Sequence, residues 1–454
     1  MVTDDDSPIS HPHESKRRTT KNVSKSNFIM SQQPTQMHSQ DEKSPLVVGV
    51  DWADAKHDLC ILQPGRAPIT RRINAEPQDV QEIIAELRRI ASGRPIHVCL
   101  EKGRVRIIHH FVLLEDITLY PVDPKQATRF RESFVSSGAK DDRGDAYYLA
   151  RLLADRHEDM RPMKPDDPLT RKISLLCQTR RNLVDDKTCV LQKLQAALKM
   201  YHPLALMLPV KKLDSGLALE FVRRFPDPRK AKKAHRETLK KWLARHSIKQ
   251  PERVAQIIEL IRSTPLVTSD SALIEPLVIQ VQTLVAQLEK LQQGIEKCEE
   301  AIRVAMAQHP DAKLFETLPG AGPALAPRLL AALGSDRDRY ADADSLSSAV
   351  GIAPVTIASG KKRQVRRRRA CPKFLLQTFH EFAGCARRFC PWSGAYYRWQ
   401  RDKGVGHHAA IRKLATRWAR ILFRVWQTRQ AYDPARYLES MRTKNHPLIA
   451  FLKN

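Results

Sequence analysis

No stretch of the 454-residue chain approaches the ~20 consecutive apolar residues of a membrane span, and the N-terminus is polar where a secretory signal would be apolar. A membrane protein and a secreted one are both disfavoured. Cysteine is sparse: eight in so long a chain make no disulfide framework, and a reducing cytoplasm is the default compartment. No CxxC knuckle occurs. Cys371, Cys385 and Cys390, with His407 and His408 downstream, are a weak basis for zinc, and buried small hydrophobes suit them better. Acid is the other shortage, with 50 Asp plus Glu against 77 Lys plus Arg, a formal charge of +27. On a chain that is 42% hydrophobic, and so globular rather than disordered, this excess points to a polyanion, most often nucleic acid. A basic protein kept soluble by its charge, or one that meets acidic lipid, is the alternative.

At roughly 100–200 residues per domain, the length suggests two to four domains. Residues 1–44 are rich in Ser, Asp, Lys, His and Gln with almost no apolar period, and read as a disordered leader. From Pro45 the pattern changes. Leu46-Val47-Val48-Gly49-Val50-Asp51 is a short apolar run of buried-strand type, followed by candidate strands at 58–63 and 69–73. A helix carrying Val80, Ile83, Ile84, Leu87 and Ile90 precedes a strand at 96–100 that ends at Glu101. Beyond it come a helix over 104–115, a strand over 118–122 and helices near 124–134 and 143–155. Three strands in a meander, then alternation with helices, describe an α/β sheet domain over 45–162.

Residues 163–310 are helical. Leu169, Ile173, Leu176, Leu183, Val190 and Leu194 keep a 3–4 spacing, with Arg180 and Lys187 taking two seam positions. Leu277, Val281, Leu284, Leu288, Leu291, Ile295, Cys298 and Ile302 give the a/d signature of a coiled coil. Two such helices can pair antiparallel within one chain or between chains. The stretch between them, about 201–270, is Pro-punctuated and very basic over 229–241, and predicts a small helical insert.

A mainly helical domain over 311–440 and a tail over 441–454 complete the expectation of an α/β plus all-α protein. Leu318-Pro319-Gly320-Ala321-Gly322-Pro323-Ala324 resembles a helix-hairpin-helix element, whose backbone N–H groups can hold a DNA phosphate, or else is an ordinary helix-capping turn. Ser359-Gly360 leads into the tract 361–369, in which only Gln364 and Val365 are uncharged. A late helix sets Ile411, Leu414, Trp418, Ile421 and Val425 on a core face. Lys413, Arg417, Arg420 and Arg424 share another face, either phosphate-facing or merely solvated.

Four carboxylates stand at chemically suggestive places. Asp51 ends the first strand, Glu101 ends a later one, and Asp142 and Asp145 sit three apart at a helix start, on one helical face. Oxygen-only ligands in such positions suit Mg²⁺, and such a site polarises a phosphate for in-line displacement. With no His or Cys at these positions, zinc is disfavoured. Each acid alone also has a plain structural role: Asp51 capping a turn, Glu101 pairing with Lys102 or Arg104, Asp142 as an N-cap, and Asp145 at the positive helix end.

Together, Val-Gly-Val-Asp51, Glu101-Lys-Gly and Lys140-Asp141-Asp142-Arg143-Gly144-Asp145-Ala146 resemble the three blocks of the DEDD transposases of bacterial insertion sequences, the insertion-sequence one-ten family. Asp141 takes the place of a Thr in the usual third block. Leu318–Pro323, Gly351–Pro354, Ser359-Gly360, Tyr396-Tyr397, Ala410–Ala419 and Tyr432-Asp433 resemble the family's C-terminal domain, so the likeness spans roughly 46–435. It implies a RuvC-like, ribonuclease-H-type N-terminal domain and Mg²⁺ on Asp51, Glu101, Asp142 and Asp145. It also implies a serine nucleophile in the C-terminal domain, which carries over to Ser359, with Ser347 and Ser348 as alternatives. A departure stands beside that serine: the usual Gly-x-Ile-Thr-Lys-x-Gly-Asn stretch is replaced by Arg-rich 365–373.

By the same resemblance, a structured guide RNA from the element's ends selects the DNA, several copies assemble as a homo-oligomer, and the protein works on the cytoplasmic nucleoid. Two rivals remain at this point. One is a RuvC-like nuclease that uses water, the other a non-catalytic nucleic-acid-binding protein.

Overall fold

The computed structural model describes residues 44–103, 106–134, 142–208, 213–360 and 362–452. The expected leader lies outside them. The chain forms two compact units, 1–163 and 164–454.

The first unit is built on a five-stranded sheet of β1 (Leu46–Trp52), β2 (Lys56–Leu62), β3 (Ile69–Asn74), β4 (Ile96–Glu101) and β5 (Ile117–Val122), in the order β3-β2-β1-β4-β5. β1 pairs antiparallel with β2 and parallel with β4, so the meander and the crossover half meet at β1. Alternation along the strands gives the sheet two apolar faces. Leu46, Val48, Val50, Val98 and Leu100 pack with α1 (Pro77–Ala91) and with Ile107 and Phe111 of α2 (Arg106–Phe111). Val47, Cys99, Tyr120 and Val122 meet Ala146, Leu149, Ala150 and Leu153 of α4 (Asp142–Arg156). A short α3 (Pro124–Glu132), capped by Asp123 accepting from the Lys125 amide, precedes α4.

In the second unit, α5 (Pro168–Tyr201) and α11 (Ser271–Gln308) run antiparallel along each other within the chain. Arg180 reaches Glu299 at 2.6 Å, and Lys187 Nζ reaches Gln292 at 2.8 Å and Asp214 at 2.8 Å. The two charged residues at seam positions are therefore cross-helix ties. By length and composition alone α11 could cross a membrane; here Leu277, Val281, Leu284 and Leu288 are packed inside the insert.

Among its described residues, that insert has five helices, α6 (Leu204–Met207), α7 (Gly216–Arg224), α8 (Pro228–Lys233), α9 (Arg236–Arg245) and α10 (Pro251–Ser263). They close over one end of the helix pair around Phe221, Trp242 and Ile261.

At the other end Ile173, Cys177, Ile302 and Met306 enter the core of the C-terminal helices. These are α12 (Ala312–Glu316), α13 (Gly322–Leu333), α14 (Ala343–Ala349), α15 (Lys373–Phe389), α16 (Pro391–Asp402), α17 (His407–Thr428) and α18 (Pro434–Thr443). Trp392, Trp418 and Trp426 are fully buried among them. Leu448, expected in a tail, is buried in the same core. One feature was not expected from the sequence: β6 (Val355–Ser359) and β7 (Lys362–Arg366) form an antiparallel hairpin between α14 and α15.

Candidate active site

Gly49 sets the geometry of the acidic site. A Cβ there would lie 2.0 Å from the Ala146 carbonyl oxygen and 2.4 Å from the Ala150 amide nitrogen, so the α4 backbone rests directly on β1. Only glycine permits that approach. Asp51 lies two residues beyond Gly49 and therefore on the α4 face of β1. Glu101 lies two beyond Cys99, which packs on the same face of β4. Val50 and Leu100 are partners in the parallel ladder, which puts Asp51 and Glu101 at neighbouring carboxyl ends.

On α4, Asp145 precedes Ala146, which is buried against the sheet. Position 142 opens the helix one turn earlier; its side chain lies outside the described residues. Three of the four expected acids are thus brought to one corner by β1, β4 and α4.

Sequence reasoning missed a cation at that corner. Arg131 of α3 donates to Asp145 at 2.6 Å, and both side chains are about four-fifths buried. The bond to Asp145, and the charges of Glu132 and Glu101, raise the Arg131 pKa above its ordinary value. Beneath them, burial and the charge of Glu101 push the Cys99 thiol up to about 12, so it stays protonated and inert. The acids draw in a cation, their donors are all oxygen, and a divalent ion such as Mg²⁺ fits that chemistry. Among the described residues no three His, Cys, Asp or Glu side chains are grouped closely enough to hold a metal ion.

Ser359 ends β6 and pairs in register with Lys362, with Gly360 (φ 54°) in the two-residue turn. Thr356 to Ser359 and all of β7 are exposed, so the serine sits at the tip of a solvent-facing cationic hairpin. Ser347 differs. It is 1% exposed, and its hydroxyl donates to the Ala343 carbonyl while its carbonyl accepts from Ile352 and Ala353. Ser348 is half-buried in the same helix.

Two pattern positions turn out to be framework: Trp392 donates to the Tyr432 hydroxyl at 2.7 Å, and Arg417 stacks over Tyr396. The basic stripe of α17 is partly tied down as well, Lys413 to Gln400 and Arg417 to His446. The Gly-rich turn before α13 is anchored on its Gly320 side against the backbone of α15.

A family model for DEDD transposases of the IS110 type matches residues 48–203, and one for transposases of the IS116/IS110/IS902 family matches 312–398. Over 409 residues, 86% of this chain and 95% of the relative, the chain is 30% identical to a Streptomyces coelicolor mini-circle protein described as a transposase for IS117. The chain belongs to the IS110 family of transposases. The 42 kDa protein of insertion element IS900 from Mycobacterium paratuberculosis is 24% identical over 86% of this chain and 98% of its own. The 44.8 kDa protein of IS116 from Streptomyces clavuligerus is 26% identical over 63% and 72%. Family membership fits the architecture of a mixed-sheet domain followed by a helical region, and a transposase acts on DNA. The acids at the β1–β4–α4 corner lie within the first matched region, and Ser359 lies within the second.

Proposed function

We propose that this IS110-family transposase cuts and rejoins DNA through a phosphoserine intermediate, with Asp51, Glu101, Asp142 and Asp145 holding Mg²⁺ and Ser359 as the nucleophile. The observation that carries the reading is the convergence of strand-end acids on the α4 face, under the close approach that Gly49 allows. Mg²⁺ bound there would polarise the scissile phosphate and offset the charge that develops on it.

Ser359 Oγ forms a new P–O bond to the DNA phosphate and loses its proton, while the bond from phosphorus to the leaving sugar oxygen breaks and that oxygen takes up a proton. The phosphoserine diester conserves the bond energy, so the reverse attack by a sugar hydroxyl rejoins DNA without an external energy source. The hairpin favours this role for Ser359 over Ser347, because its tip is open to a bulky substrate and the Ser347 hydroxyl is spent inside the fold. Lys362 and Arg363 at the start of β7 place positive charge beside the serine for the DNA backbone.

In the same reading a structured guide RNA shares the cationic surface, and several copies assemble so that several cleavages are held together, in the cytoplasm beside the nucleoid.

Ser359→Ala separates this from a water-using nuclease. The expected result is loss of strand cleavage with Mg²⁺ while DNA binding persists. Cleavage at an undiminished rate would mean that water, and not this serine, attacks. Asp51→Asn is expected to abolish cleavage too; a protein unchanged by it in every activity would be a binding protein only.

A further inference from the structure

Where the tract after β7 leads into α15, three histidines and several arginines gather. His380 of α15 and His408 of α17 have ring centroids 5.5 Å apart, and His407 and His408 are 4.9 Å apart. The Tyr397 hydroxyl of α16 bonds His407 Nδ1 at 2.8 Å, and the Arg387 guanidinium lies 4.7 Å over the Tyr397 ring. Arg412 is one turn beyond His408, half-buried, and burial together with the repulsion of Arg367 lowers its pKa. The acid that acts on His380 is Glu381, which is engaged by Arg328 at 2.5 Å and by Arg181 at 3.7 Å. The first turn of α17 contains no acid.

Gathering like charges in this way costs free energy that an anion would offset. Arginine side chains stay charged at every working pH. Burial, then the charges of His408, Arg412 and His407, hold His380 below the ordinary imidazole value. Burial, then His408, Arg387 and Arg401, do the same to His407. Both shifts favour the neutral rings, and an anion bound beside them would favour the protonated form, which adds a second N–H donor.

We propose that His380, His407, His408, Arg367 and Arg412 form a phosphodiester-binding site that seats the DNA backbone at the base of the hairpin carrying Ser359. This rests on the reading of the chain as a DNA recombinase and adds to it a fixed contact point at the opposite end of the hairpin from the nucleophile. Its consequence is proton uptake on binding: affinity rises as pH falls from 8 to 6, by up to roughly tenfold per pH unit for each proton taken up.

The test uses the full chain with a labelled random-sequence DNA duplex and, separately, a single-stranded RNA of the same sequence. Fluorescence anisotropy at pH 6 and pH 8 is read over a series of salt concentrations. His380→Gln combined with His407→Gln is expected to remove most of the rise in DNA affinity on acidification. Arg412→Gln is expected to weaken binding at both pH values and to lower the slope of log affinity against log salt by about one. Circular dichroism checks the fold of each variant, and the arginine variant carries the test if the double histidine variant does not fold.

A folded histidine variant that keeps the full acid-side rise, or an Arg412→Gln with unchanged affinity and salt slope, overturns the site. Loss of RNA binding with DNA binding intact overturns the assignment to DNA. A wild-type chain that binds neither probe defeats the recombinase reading itself.

Discussion

A single glycine decides how closely α4 can sit on β1, since any side chain at Gly49 would collide with the Ala146 carbonyl and the Ala150 amide. Gly49 is visible in the Val-Gly-Val-Asp run, but its reason lies 97 residues away, in the backbone of α4. Gly49→Ala is expected to force α4 off β1 and to cost about 1–3 kcal/mol by overpacking, or more if the backbone cannot give. Thermal melts would check it, and a melting point equal to wild type would contradict the close approach.

Arg131 meets Asp145 because α3 and α4 pack together, a relation carried by no spacing rule. Removing it leaves a carboxylate unpaired among carboxylates. Arg131→Gln should lower stability by roughly 1–3 kcal/mol in metal-free buffer. Added Mg²⁺ should then raise the melting temperature more for the variant than for wild type, because a competing cation is gone. Equal Mg²⁺ responses would mean that the acids do not share a cation. Asp51 and Glu101, by contrast, were legible at once: each is an acid ending a run of apolar strand residues.

At the scale of elements, the two long helices were legible from their seams and their pairing was not. The sequence permits α5 to pair with α11 in the same chain or in another. Within the chain the choice is made by cores at both ends, one in the insert and one among the C-terminal helices. A Cβ on Gly294 would sit 3.2 Å from Leu183 Cδ1. Leu183→Cys with Gly294→Cys should therefore be bridged within one chain by a short bifunctional thiol cross-linker at every protein concentration. Cross-linked dimers on denaturing gels in place of that bridge would show that the pairing is between chains.

The hairpin was missed for a physical reason. Lys362 to Arg366 are all exposed, so β7 has no alternation of apolar and polar residues and reads as a charge run.

For the molecule as a whole, the deficit of acid first suggested a polyanion, and the folded chain shows where part of the excess goes. Some cations are consumed internally, as Arg180, Lys187 and Arg328 are; others, on the hairpin and α17, remain at the surface.

Stability should also depend on pH through buried histidines. His202 is fully buried, bonded to the Phe225 carbonyl, and burial lowers its pKa to about 4. Its folded value lies below its unfolded value near 6.5, so the unfolded chain binds the extra proton. The stability from this group is present above pH 6.5 and declines toward pH 4, by about 3 kcal/mol if the full shift is realised. Denaturant melts across that range check it, and His202→Gln should flatten the slope; an unchanged slope would assign it to other groups, such as His97, lowered to about 4 by burial and by His157.

The central claim concerns covalent chemistry, and one measurement reaches it most directly. The wild-type chain is incubated with Mg²⁺ and a nicked DNA substrate whose cut fragment diffuses away, and any protein–DNA adduct is mapped by mass spectrometry. The account predicts an adduct on Ser359 that disappears in Asp51→Asn. Cleavage without any adduct, or an adduct on another residue that survives in Asp51→Asn, would contradict it.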